Sequence, residues 1–172
     1  MEENIKKPVK ITITGVHAPI TEGIDVAGDI GDKKKSDVEG GSDLIDKTEE
    51  VSYGFLSAKN GSIYLVYEKK KDDGIIIKNL IKLMPKDKEI KRTATLHKGT
   101  VTSPASGISY TEGSVQKGFY MTNYGRLDIE TMTGRIDFSE CRTGITCTAS
   151  GTLNINNSPA SSFELKIEAV YV

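Results

Sequence analysis

From Val9 the chain alternates: Val9, Ile11 and Ile13 are apolar, and Lys10, Thr12 and Thr14 between them are polar. A two-residue period puts successive side chains on opposite faces of a β-strand, so this pattern predicts a strand with one buried face. The pattern returns near the C-terminus, where Phe163, Leu165, Ile167, Ala169 and Tyr171 alternate with Glu164, Lys166 and Glu168. Between the two, further strands are predicted at 49–58, 62–70, 75–84, 89–97, 106–112, 117–122, 125–132, 134–141 and 145–155, eleven in all. Asn60-Gly61 joins two of them as a type I′ hairpin, a turn that needs positive φ at both central residues. Residues 75–84 have partly helical spacing, but the run Ile75-Ile76-Ile77 favours a strand, because β-branched side chains pack well on a pleated surface. The expectation is a meander of short antiparallel strands.

Residues 18–48 break the pattern. Gly23, Gly28, Gly31, Gly40 and Gly41 are interleaved with Asp, Glu and Lys, without a period. A connection of that length is expected to be a mobile or functional loop on an otherwise single domain, 1–172. Charge is uneven as well. His17 to Glu50 carries ten acidic and four basic side chains, whereas Lys69 to Lys98 carries ten basic and four acidic ones. One reading is that Lys-rich turns discourage edge-to-edge pairing; another is that the acidic loop competes with an anionic ligand for a basic face.

Composition narrows the class further. The 172 residues form one domain, large enough to bury roughly 70% of the unfolded surface without disulfides. The 24 acidic and 23 basic side chains nearly balance, Trp is absent, and aromatics make up 6%, which together argue against a nucleic-acid binder. The segment Lys69 to Lys98 is the one stretch basic enough for RNA. No run of 18 apolar residues occurs, so no membrane span is predicted. Met1 to Lys10 is polar and lacks a signal-peptide core, so a cytoplasmic location is expected.

The stretch from Val51 onward carries Tyr53-Gly54, then Lys59-Asn60-Gly61-Ser62-Ile63-Tyr64-Leu65-Val66-Tyr67-Glu68, then Gly113, and then Tyr120-Met121-Thr122-Asn123-Tyr124-Gly125-Arg126-Leu127. It resembles the YwiB family, small bacterial proteins grouped as a domain of unknown function with a calycin-like barrel. This chain has His97-Lys98-Gly99 where the family pattern looks like Arg-x-Gly, and Thr122-Asn123-Tyr124-Gly125 where it looks like Thr-Pro-Tyr-Gly. The resemblance implies an all-β fold, a single antiparallel up-and-down barrel of lipocalin-like architecture. Such a barrel either is filled by side chains or holds one small-ligand cavity. No reaction is implied.

Candidate chemistry is sparse. There is no Gly-x-Ser-x-Gly elbow, and any Ser-His-Asp triad would have to use His17 or His97. Gly113 to Gly118 has the glycine spacing of a phosphate loop, but Phe119 and Tyr120 stand where Lys and Ser or Thr are needed. No metal-ligand spacing occurs, and strand parity sends Cys147 inward and Cys141 outward, which separates the two thiols. Arg92 shares parity with Ile90, Ala94 and Leu96, so it points into the barrel unless a bulge turns it out. An inward guanidinium must be paired or meet an anion. Tyr120 and Tyr124, beside Gly125, are read as lining a pocket entrance. These residues point to a non-enzymatic binder of a small, partly apolar or anionic molecule through Arg92, His97, Tyr120 and Tyr124. Neither metal nor cofactor is called for, and nothing fixes the oligomeric state. The competing reading is an interaction or structural module that acts through its outer surface and has no ligand cavity.

Overall fold

A computed structural model describes residues 5–20, 46–158 and 160–172. The alternating segments become ten antiparallel strands: β1 (Lys7–Pro19), β2 (Asp46–Lys59), β3 (Ser62–Lys70), β4 (Ile75–Met84), β5 (Glu89–Lys98), β6 (Val101–Thr111), β7 (Ser114–Thr122), β8 (Gly125–Cys141), β9 (Gly144–Ile155) and β10 (Ser161–Tyr171). Each pairs with its sequence neighbours, and β1 also pairs with β10 from Val9↔Tyr171 to Pro19↔Ser161. The sheet is therefore a closed up-and-down barrel, consistent with a lipocalin-like architecture, and closure leaves no edge strand. At the β2–β3 hairpin, Asn60 and Gly61 have φ of 52° and 77°, as a type I′ turn requires. Among the described residues no helix is long and apolar enough to cross a membrane.

Two strands expected separately, 125–132 and 134–141, form the single strand β8, so ten strands replace the expected eleven. The register against β9 shifts between Thr133 and Arg135, where Gly134 sits in a bulge. One extra residue reverses parity, so the buried positions run Thr131, Thr133, then Ile136. Counting in twos across Gly134 gives a false break. Strand β6 starts at Val101 rather than 106. Its Pro104 has no N–H to donate and lies at the register shift opposite Ala94 and Thr95. Ala18, Pro19 and residues 46–48, assigned to the long loop by sequence, are paired in β1 and β2. Residues 21–45 of the expected loop lie outside the described residues.

The core occupies one end of the barrel. Val9, Ile11, Leu65, Leu83, Ile90 and Ile136 are at most 1% exposed. They cluster towards the end closed by Asn60-Gly61, Pro85 to Lys88, Glu112-Gly113 and Arg142-Thr143. Towards the other end small or polar side chains, Asn79, Ala94, Ser103 and Ser106, share the interior of β4 to β6 with Ile77 and Leu96. Side chains of that size do not fill a ten-stranded ring.

The ring has one weak link. Strands β6 and β7 share only the pairs Ser106↔Tyr120 and Gly107↔Phe119. Glycine is required here, because a Cβ on Gly118 would stand 2.3 Å from the Gly107 carbonyl oxygen. Where β7 diverges, β8 holds β6 directly: the Thr131 hydroxyl donates to the Ser109 carbonyl at 2.7 Å, and the Ile136 amide donates to the Glu112 carboxylate at 2.8 Å.

A filled end and a hollow end predict unequal costs of truncation. Leu83→Ala should lower stability by about 2–5 kcal/mol, and Leu96→Ala at the hollow end by less than about half of that. Urea unfolding of the two variants measures both; equal losses would mean that the hollow end is packed.

Candidate functional site

Arg92 stands at the boundary between the two ends. On β5 it follows the fully buried Ile90 by one inward step and precedes Ala94 and Leu96. Its guanidinium forms no ion pair with a carboxylate among the described residues. Its neighbours are the Tyr67 phenol and, beyond that, the Glu50 carboxylate. Tyr67 is 4% exposed. Burial first, and then the negative charge of Glu50, push its phenol well above the usual tyrosine range, and the positive charge of Arg92 offsets part of the rise. Lys69 Nζ lies 2.8 Å from Glu50 Oε1. That oxygen is buried and charge-paired without being aligned for a hydrogen bond.

Above this cluster a cavity of about 720 Å³ opens within the range of small-molecule sites, roughly 300–1,000 Å³. Four cationic side chains line it, Lys69, Lys71, Arg92 and Arg126, against the single carboxylate of Glu50. Tyr120 forms part of its wall, and a smaller pocket of about 140 Å³ separates Tyr120 from Tyr67, Ile81 and Arg92. A further chamber of about 340 Å³ shares Glu50, Lys69 and Arg92 and continues between β1, β2 and β10.

Two of the four residues expected at the site meet there, Arg92 and Tyr120. His97 and Tyr124 are not among the residues lining these cavities. His97 has the opposite parity to Arg92 on β5, and its Nδ1 lies 3.1 Å from the Thr102 hydroxyl on the exposed side. Tyr124 is fully exposed at the tip of the β7–β8 turn, where Thr122 pins the backbone by accepting from the Tyr124 amide and donating to the Gly125 carbonyl. Glu50, Tyr67 and Lys69 were missed, although the signal was present. Leu65, Tyr67, Lys69 and Lys71 share one parity, as do Leu56 and Glu50, so inward polar residues continue the two buried stripes.

The thiols separate as their parity predicts: Cys141 is exposed and Cys147 buried. The Thr143 hydroxyl, then the backbone amides of Thr143 and Gly144, draw the Cys141 thiol below its ordinary value. Burial pushes the Cys147 thiol up to about 12. Among the described residues no three His, Cys, Asp or Glu side chains come together as a metal site.

Residues 33–167 match the family model described as a domain of unknown function, DUF1934. The chain belongs to the DUF1934 family. A crystal structure of the ywiB protein from Bacillus subtilis superposes on this DUF1934 barrel with a TM-score of 0.61 at 15% identity, covering 97% of this chain and 93% of that one. At that identity the likeness shows a shared fold. No curated protein matches the sequence.

Two titrations follow. Cys141 should react with a thiol reagent in the folded protein, and Cys147 only on global unfolding; fast modification of both thiols would show an open wall at β9. Folding holds the Tyr67 proton, so this residue's contribution to stability is complete below about pH 10 and is lost as pH rises above that. Near-ultraviolet titration of the seven tyrosines should lose its last-ionising component in Tyr67→Phe, and the variant should lose less stability at alkaline pH than the parent.

Proposed function

We propose that this barrel is a non-enzymatic binding module that takes a small, partly apolar anion into its open-end cavity. The observation that carries this reading is Arg92: a guanidinium on the inner face of the barrel, facing a cavity, with no carboxylate partner among the described residues. A half-buried guanidinium with no carboxylate in contact is a ready partner for an incoming carboxylate, sulfonate or phosphate, which makes charge-assisted hydrogen bonds with it. Lys69 and Arg126 are partly committed, to Glu50 and to Asp128, whereas Lys71 widens the positive field towards solvent. Tyr120, half-exposed, offers an apolar ring beside the anion site. In this reading the protein works in the cytoplasm, in keeping with two free thiols in a reducing compartment.

A second reading rests on the outer wall. Phe55, Val66 and Leu80 are cross-strand neighbours on β2, β3 and β4, all substantially exposed, with Tyr53 beside them. A contiguous apolar strip of this kind favours an interaction module acting through its surface.

Native mass spectrometry and titration with anilinonaphthalene sulfonate, an aromatic anion, separate the two readings. The cavity reading expects one bound probe per chain. Arg92→Gln should weaken it about 10- to 100-fold, the loss of a charge-assisted hydrogen bond. Glu50→Gln should strengthen it, and His97→Ala should leave it unchanged. Probe binding that is indifferent to Arg92 and Glu50 would discard the cavity reading in favour of the outer wall.

A further inference from the structure

We infer that the anion taken at Arg92 is a planar aromatic carboxylate, its ring lying in a recess that β4, β5 and β6 leave directly above the guanidinium. The inference rests on the cavity reading above and adds the class of molecule. Strand pairing divides the inner wall into levels. Arg92 shares its level with Ile81 on one side and Ile108 on the other. One inward step up, Asn79 pairs with Ala94 and Ala94 with Ser106, so three short side chains stand side by side. One step further, Ile77 pairs with Leu96 and bulk returns. Neighbouring strands lie about 4.8 Å apart and an inward step covers about 7 Å, so the recess is roughly 10 Å wide and one step tall. Tyr67, paired with Asn79, closes one end, and Tyr120, paired with Ser106, closes the other. The recess, its lip and both tyrosines line the 720 Å³ cavity.

A recess wider than it is tall admits a plate and turns away a globe of the same mass. The tyrosines at its ends favour a ring for a second reason, because aromatic pairs gain from offset and edge-to-face contacts beyond the area they bury. A rigid ring also loses less freedom on binding than a flexible chain does. Ala94, Ile77 and Leu96 supply its apolar contact. The charge of the ligand is single. Lys69 is 2.8 Å from Glu50, and Arg126 is 3.0 Å from Asp128, which leaves the Arg92 guanidinium at the recess to meet one carboxylate in charge-assisted hydrogen bonds. Glu50, on the same cavity wall, opposes a second negative charge.

Three monocarboxylates of equal carbon count but different shape test the assignment by calorimetry: 2-naphthoate is a plate, adamantane-1-carboxylate a globe and undecanoate a flexible chain. The plate should bind at least about 10-fold more tightly than the globe, and more tightly than the chain. Ala94→Leu and Ser106→Leu, which fill the recess on adjacent strands, should each lower 2-naphthoate affinity about 10-fold. Arg92→Gln should weaken all three ligands by the same factor. Binding of the globe or the chain as tightly as the plate, or 2-naphthoate affinity unchanged in both recess variants, overturns the aromatic assignment while the anion site stands. So does binding of anilinonaphthalene sulfonate at Arg92 with no affinity for any of the three carboxylates. No binding of the sulfonate or of any carboxylate overturns the cavity reading and this one together.

Discussion

Strand β1 is hydrogen-bonded on both sides, to β2 and to β10, and the rest of the molecule depends on that double pairing. Once the ring is closed, its circumference is set by the number of strands and their stagger, and the interior has a fixed width that side chains must fill or leave open. At one end Leu65, Leu83, Ile90 and Ile136 meet across that width. At the other, alanine, serine and asparagine stand among Ile77 and Leu96 and leave a cavity. The cavity is thus what remains where the inward residues are too small for the ring that the backbone imposes.

Most of this was legible because strand pairing obeys a period that sequence displays directly. The alternation at Val9–Ile13 and Phe163–Tyr171 marks strands whose inward sets are the observed core, and Asn60-Gly61 marks its own turn. The reading failed where the period itself is interrupted. Gly134 inserts a residue and inverts parity, which made one strand look like two, and Pro104 hides a strand that tolerates it only at an irregularity. Within the site, parity places Arg92 on the inner face of β5 and His97 on the outer one. Glu50 and Tyr67 come from strands that meet Arg92 only after the ring closes, so no local pattern joins the three.

The charged cluster sits at the boundary of the packed region, where its desolvation is partial. Glu50 keeps Lys69 as a counter-ion and Tyr67 keeps its proton, which leaves Arg92 without a carboxylate partner among the described residues. A core that stopped one layer lower would leave the guanidinium to water, and one layer higher would bury it without compensation. Local departures from good packing of this kind are tolerated where another requirement sets the residue, and here they fall around one side chain.

The β6–β7 seam gives the ring a direction of weakness. Every other junction is a ladder running much of the strand length, whereas this one consists of two residue pairs with Gly107 and Gly118 pressed together. Cutting a closed sheet elsewhere means breaking a long row of hydrogen bonds at once; cutting it here breaks few, and β8 still tethers β6 through Thr131 and Glu112. The molecule is therefore better described as a curved sheet fastened along its side by a short clasp than as a uniform cylinder, and the slowest-exchanging backbone amides belong on the wall opposite that clasp.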